Sequence, residues 1–205
     1  MINENVESIK NEIKDFKATL IAVSKQQPDD RIEDALNLGL RVFGENKVQE
    51  AEKRWSERRA HYSDLELHLI GPLQTNKVRQ AIDLFDCIHT LDREKLARAI
   101  HKYAPEMPCF IQVNIGAEPQ KSGILIDDLP NFYKFCTDLG MNIIGLMCIP
   151  PIDDNPETHF QSLTNHAKKL GLKHLSMGMS NDFDIALRNG ATHIRVGSGI
   201  FGERQ

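Results

Sequence analysis

Eight short apolar runs, separated by stretches of helical spacing, constrain this chain more than any other feature. They are Thr19–Ser24, Arg41–Gly44, Leu67–Ile70, Cys87–Leu91, Cys109–Ile115, Ile143–Ile149, His174–Met177 and His193–Val196. Most are continuous rather than alternating, the pattern of strands covered on both faces in a parallel sheet. Between the first two, Pro28–Gly39 opens with acids, repeats Ile32, Ala35, Leu36 and Gly39 at helical spacing, and closes on its glycine. Asn46–Ala60, Asn76–Phe85, Arg93–Tyr103, Asp127–Leu139, Glu157–Leu170 and Asp182–Asn189 read the same way, and residues 3–17 form a helix ahead of the first strand. Gly140, Gly171 and Gly190 stand where helix C-caps belong. Eight strands alternating with helices predict an α/β fold, a (β/α)8 TIM barrel, as a single domain over residues 1–205. A doubly wound open sheet is the alternative. The 205 residues lie close to the lower limit of about 200 for such barrels, so long insertions are not expected. The proline-rich Pro150–Pro156 fits a loop after the sixth strand.

Composition excludes several function classes. A net charge of -4 argues against a nucleic-acid binder. The basic stretch Lys53–Arg59 is interrupted by Glu57 and reads as a solvated helix face. No apolar run approaches the roughly 18 residues of a membrane span, and the polar, acidic N-terminus lacks the features of a signal peptide. The four cysteines (Cys87, Cys109, Cys136 and Cys148) lie far apart with no CxxC, as expected for reduced core thiols in a cytoplasmic protein. His68 and His89 read as hydrogen-bonded core residues. His159 and His166 are about 10 Å apart along one helix and cannot share a metal, so no metal is expected.

Barrel chemistry sits at the C-terminal ends of strands. The first run leads from Leu20-Ile21-Ala22-Val23-Ser24 directly into Lys25. A desolvated ammonium loses its proton readily, and such lysines condense with carbonyl compounds. A lysine that simply leaves the strand for water is the plainer reading. The seventh run enters Met177-Gly178-Met179-Ser180-Asn181, and the eighth enters Gly197-Ser198-Gly199. Barrels often hold phosphate between these two loops, with backbone N–H groups and hydroxyls as donors. Ser180 or Asn181 as a helix cap is the alternative. Arg195, inside the eighth apolar run, needs either a carboxylate from another strand or a ligand. An amine on the first strand, a phosphate cradle after the seventh and eighth, and an arginine facing a heteroaromatic nitrogen together suit pyridoxal 5′-phosphate.

The chain resembles the YggS/PROSC family of pyridoxal-phosphate homeostasis proteins, relatives of the alanine racemase N-terminal barrel domain. The matching segments are Ala22–Lys25, Phe43–Glu50, His68–Lys77, Lys121–Gly123, Gly145–Met147, Ser176–Asp182 and Arg195–Gly202. The resemblance implies that Lys25 carries the cofactor covalently as a Schiff base. It also implies that Ser180, Asn181, Gly197 and Ser198 bind its phosphate, that Arg195 faces the pyridine nitrogen, and that Asn46 lies near the ring. Serine at 198 keeps the hydroxyl that family members often supply from threonine. Gln26-Gln27 replaces a common Thr-Lys and removes a positive charge. Lys121 reads as a solvated or phosphate-steering charge, with a secondary cofactor site there as an alternative.

The implied role is to buffer, carry or release the cofactor in the cytoplasm as a monomer, with apoenzymes that use it as recipients. No catalytic residue, nucleic acid or membrane is implied. Two rivals stand beside this: an amino-acid racemase or related lyase, and a cofactor-free phosphate-binding isomerase or aldolase. The first is disfavoured because Tyr62, Tyr103 and Tyr133 fall in or beside helices, not at strand ends, and because an arginine at the ring nitrogen leaves a weak electron sink.

Overall fold

A computed structural model describes residues 2–202. Eight strands form a closed, all-parallel barrel in chain order: β1 (Thr19–Val23), β2 (Val42–Glu45), β3 (Glu66–Leu69), β4 (Cys87–Leu91), β5 (Cys109–Val113), β6 (Ile143–Cys148), β7 (His174–Met179) and β8 (His193–Val196). The ring closes where β8 pairs with β1, with Ile21 opposite Arg195 and Ala22 opposite Val196. Helix α1 (Ile2–Ile13) precedes the barrel. The outer layer is α2 (Asp29–Asn37), α3 (Val48–His61), α4 (Val78–Leu84), α5 (Glu94–Tyr103), α6 (Leu129–Asp138), α7 (Pro156–Lys169) and α8 (Phe183–Arg188). The open-sheet alternative is excluded. No helix among the described residues is long and apolar enough to cross a membrane.

Element ends differ from expectation by a few residues, for local reasons. The first helix stops at Ile13 rather than residue 17, because the chain turns there and Lys17 takes a positive φ of 51°. The fifth strand ends two residues early, where the Asn114 side chain folds the loop back by bonding to Glu118 and Lys121. The seventh runs two residues further, to Met179. A one-turn helix, α9 (Ser198–Phe201), follows β8 and was not expected from a Gly-Ser-Gly sequence. Gly140, Gly171 and Gly190 all adopt the left-handed conformation of a helix C-cap.

Strand alternation sorts side chains into two regions. Along β1, Leu20 and Ala22 face the helices, whereas Ile21 and Val23 face into the ring. Outward residues from every strand join the helices in one continuous apolar cluster. The inside of the ring is different. Besides Ile21 and Val23, its buried apolar side chains include a small separate cluster of Cys87, Phe110 and Met147, and the remainder includes His68, His89, Ser176, His193 and Arg195. Barrel interiors are ordinarily filled by Val, Ile and Leu.

The basic stretch on α3 is not the solvated face its charge pattern implies. Arg58 binds Glu33 at 2.7 Å and Asp29 at 3.3 Å. Arg59 grips Asp86 with both nitrogens, at 2.8 and 2.9 Å. Burial alone would raise the Asp86 carboxyl, but Arg59 and the Leu67 N–H hold it below the usual carboxylate range. Arg54 is mostly buried against β2. These arginines lie flat against neighbouring loops because their long stems cover apolar surface while their forks reach fixed acceptors.

Candidate functional site

The C-terminal ends of the strands surround a cavity of about 620 Å³. Lys25, Asn46, Ser180, Asn181, Arg195, Gly197 and Ser198 all line it. These residues come from four separated parts of the sequence. The closed ring brings them together because β1 and β8 are neighbours and the β7 loop stands beside that seam.

Lys25 sits two residues beyond β1, on the inward side set by Ile21 and Val23. It is partly exposed at the cavity mouth rather than buried within the ring. The strand ends at Val23 because the chain turns immediately afterwards, with Gln26 at a positive φ of 58°. That turn is held from outside by residues the sequence does not single out. Glu45 is fully buried, and its Oε1 accepts from Ser24 Oγ at 2.7 Å, Arg54 Nη1 at 2.9 Å and Trp55 Nε1 at 3.1 Å. Arg54 also donates to the carbonyls of Ser24 and Gln27, at 2.9 and 3.0 Å. The backbone on both sides of Lys25 is therefore pinned to α3. A buried carboxylate with three donors, one of them a cation, is a stable arrangement only while all of them are present.

Asn46 follows β2 and lines the wall beside Ile70. Its side-chain oxygen is buried and has no hydrogen-bond partner among the described residues. Gly71 makes its position possible: a Cβ there would lie 2.2 Å from the Asn46 carbonyl oxygen. Thr90 Oγ1 donates to the Gly71 carbonyl at 2.8 Å and fixes this approach.

On the opposite side, the backbone N–H groups of Gly197 and Gly199 converge on one atom, Ser180 Oγ, at 3.4 and 3.1 Å. Two N–H donors aimed at a single oxygen make a concave anion seat. Gly199 has no room for a side chain, because a Cβ would lie 2.8 Å from Val196. Ser198 and Asn181 are exposed at the rim of the seat. Asp182 lies beside it, with its carboxylate accepting from the Met179 N–H at 2.6 Å and its pKa pushed up by burial.

Arg195 is only 4% exposed. Among the described residues, its guanidinium donates to Ser176 Oγ at 2.7 Å and to the Cys148 carbonyl at 2.9 Å, not to a carboxylate. Burial pulls its pKa below the ordinary arginine value. The direct ion pair allowed by the sequence is thus replaced by neutral acceptors, and the cation faces the cavity base. Lys121 reaches the opposite rim, where it bonds to Glu118 and to the Pro150 carbonyl at 3.3 Å. The apolar rim of Ile149, Ile152 and Met179 is exposed, Ile152 to 93%.

One further group of potential ligands lies lower in the ring. Among the described residues, donor atoms of His68, Cys87 and His89 fall within 4.8 Å of one another. His68 Nδ1 and His89 Nε2 are 2.7 Å apart, the distance of a hydrogen bond. Two nitrogens on one tetrahedral zinc would stand about 3.3 Å apart. The geometry is that of a hydrogen-bonded pair, and burial drives the Cys87 thiol pKa well up, against thiolate formation.

Comparison with known proteins follows the same lines. The chain is 40% identical over 202 residues to a pyridoxal phosphate homeostasis protein of Aquifex aeolicus, covering 92% of this chain and 88% of that one. It is 38% identical over 200 residues to the protein of that name in Escherichia coli K12, covering 91% and 86%. PipY of Synechococcus elongatus, solved without PLP, superposes with a TM-score of 0.92 at 35% identity, covering 98% of this chain and all of that one. The PLP-bound form of PipY gives 0.89 at 34% identity over the same coverage. Alanine racemase of Corynebacterium glutamicum shares the fold, at a TM-score of 0.72 and 20% identity, over 99% of this chain and 61% of that one. No family model matches the chain.

Proposed function

We propose, since this chain belongs to the family of pyridoxal phosphate homeostasis proteins, that residues 1–205 form one unit that binds pyridoxal 5′-phosphate and holds it covalently through Lys25. Its role in this reading is to buffer, carry and release the cofactor rather than to turn over a substrate. It works in the cytoplasm as a monomer that supplies apoenzymes.

The observation that carries the reading is that three chemically distinct features meet in one cavity. Lys25 offers an amine at the mouth. The N–H groups of Gly197 and Gly199 offer an anion seat with the hydroxyls of Ser180 and Ser198. Arg195 offers a buried cation at the base. The unpartnered Asn46 oxygen supplies an acceptor on the wall between them. These groups match the aldehyde, the phosphate and the ring nitrogen of the cofactor. When bound, the cofactor supplies an electrophilic aldehyde carbon that condenses with an amine.

The protein's own residues account for holding rather than turnover. The N–H groups and hydroxyls orient the phosphate. Arg195 donates a hydrogen bond but keeps its protons, so the ring nitrogen stays unprotonated. The turn pinned by Glu45 and Arg54 keeps the Lys25 amine at the mouth. None of Tyr62, Tyr103 and Tyr133 lines the cavity, so no phenol stands opposite Lys25 as a second acid or base.

Borohydride reduction of the cofactor-loaded protein, followed by peptide mapping, tests the assignment. Label is expected on the peptide containing Lys25, and Lys25→Ala is expected to abolish both the label and the yellow absorbance. Label on Lys121 or another lysine overturns the assignment. Racemisation at ordinary enzyme rates by the purified protein overturns the holding role.

A further inference from the structure

Arg195 lies at one end of an unbroken line of hydrogen bonds that crosses the inside of the barrel. Arg195 Nη1 meets Ser176 Oγ at 2.7 Å, and Ser176 Oγ meets His89 Nδ1 at 2.8 Å. His89 Nε2 meets His68 Nδ1 at 2.7 Å, and His68 Nε2 meets Glu66 Oε1 at 2.8 Å. The five residues come from four strands and span the ring from the cavity base to its N-terminal end, where Glu66 begins β3 and is half exposed.

The direction of every proton in this line follows from its two ends. A guanidinium can only donate, so Ser176 Oγ accepts from Arg195. That oxygen has a second lone pair, so the His89 tautomer is set from the other end. The Glu66 carboxylate accepts from His68 Nε2–H, a neutral His68 then accepts at Nδ1 from His89 Nε2–H, and His89 Nδ1 is left bare for the serine proton. The neutral His89 ring carries its proton on Nε2 and donates to His68 Nδ1. His68 in turn carries its proton on Nε2 and donates to the Glu66 carboxylate, which holds Glu66 below its ordinary pKa. Complete burial, with His68 and Arg195 nearby, keeps His89 neutral. A buried cation and a surface carboxylate are thus joined head to tail by three neutral dipoles. Neither histidine touches the cavity, and neither is used by the proposed cofactor site.

We infer that His89 and His68 are positioning residues: through Ser176 they fix the donor geometry of Arg195 toward the cofactor's ring nitrogen and tie its charge to Glu66 on the barrel floor. This rests on the proposed cofactor reading for its ligand, but not for its hydrogen-bond directions. A single acceptor would leave the guanidinium free to rotate about its stem. The Ser176 hydroxyl and the Cys148 carbonyl together lock its plane, and His89, by taking the serine proton, keeps a lone pair of that hydroxyl turned toward the guanidinium.

Two measurements test this separately. The first needs no cofactor. Long-range proton–nitrogen NMR on the 15N-labelled protein at neutral pH is expected to show His68 and His89 both neutral and both protonated on Nε2. A proton on His89 Nδ1, an imidazolium, or stoichiometric zinc on the pair overturns the relay. The second compares pyridoxal 5′-phosphate with its carbocyclic analogue, in which CH replaces the ring nitrogen. His89→Leu is expected to weaken the natural cofactor about tenfold and shift its bound absorbance, while leaving analogue affinity unchanged. His89→Asn, whose side-chain oxygen can still accept from Ser176, is expected to restore affinity to within about threefold. If His89→Leu does not fold, Ser176→Ala takes its place. Equal losses for both ligands mean a merely structural role and overturn the inference. Wild-type protein that binds no pyridoxal phosphate overturns the cofactor reading and the coupling together, whereas a wrong tautomer with intact binding overturns the relay alone.

Discussion

The layer between sheet and helices and the space inside the ring are built from the same eight strands, yet they follow opposite rules. The outer layer is a single apolar cluster that takes in residues of every strand. The inner space holds a separate cluster of three buried apolar side chains, with Ile21, Val23, histidines, a serine and an arginine beside them. Apolar contact is non-directional and tolerant of shape, whereas a hydrogen bond fixes an atom in place. The barrel therefore draws its stability from outside the ring and its orientation of functional groups from inside it.

Substitutions on the two sides should separate accordingly. The largest loss is expected outside: Phe160→Ala removes a fully buried ring from the outer cluster and should cost about 3–5 kcal/mol in urea unfolding. It should leave cofactor affinity per folded molecule intact, and an equal loss of affinity would break the division. Glu45→Ala sits on the border, because the carboxylate is buried outside the ring yet pins the Lys25 turn. It should cost about 2–4 kcal/mol in stability and also slow covalent capture. Unchanged capture kinetics would show that the clamp does not reach the lysine. At the upper end of the inner space, Ser180→Ala combined with Ser198→Ala should weaken cofactor binding by about 1–3 kcal/mol, since the backbone donors remain. Complete loss would mean that the hydroxyls, not the N–H groups, hold the phosphate.

A dependence on pH gives the most gradual effect, spread over about two pH units. His89 titrates well below its ordinary value in the folded chain, and His193 is pushed down to about 3, in both cases mainly by burial. Both bind a proton more readily when unfolded. Their contribution is therefore complete above about pH 6.5 and is lost as pH falls toward their folded values. Stability should decline as pH drops from 6.5 to 4.5, and His89→Asn should reduce that slope by about 1.4 kcal/mol per pH unit. An unchanged slope would mean that His89 is not the neutral member of the line.

The fold was legible because a parallel barrel writes itself as repeated apolar runs, and each run's end marks a position at the cavity. Lys25, Arg195 and the two glycine-bearing loops could be found in that way. Glu45 and Arg54 could not. Arg54 stands among charges that look solvated, and only the packing of α3 against the β1 turn reveals its three acceptors. The pairing of His68 with His89 was equally hidden. Each reads as a core histidine with some partner, but which partner depends on the relative height of neighbouring strands. That height is set by the β3–β4 register, which puts His68 level with Cys87.

Pairing of the last strand with the first has a temporal side as well. Lys25 leaves the ribosome well before the proposed phosphate seat and ring partner, which lie about 150 residues or more further along the chain. In the cofactor reading, a nascent chain halted before residue 193, or a product clipped there, would carry Lys25 without all of the groups proposed to select an aldehyde for it. Selective capture, in the same reading, would begin only once β8 has been made and has paired with β1.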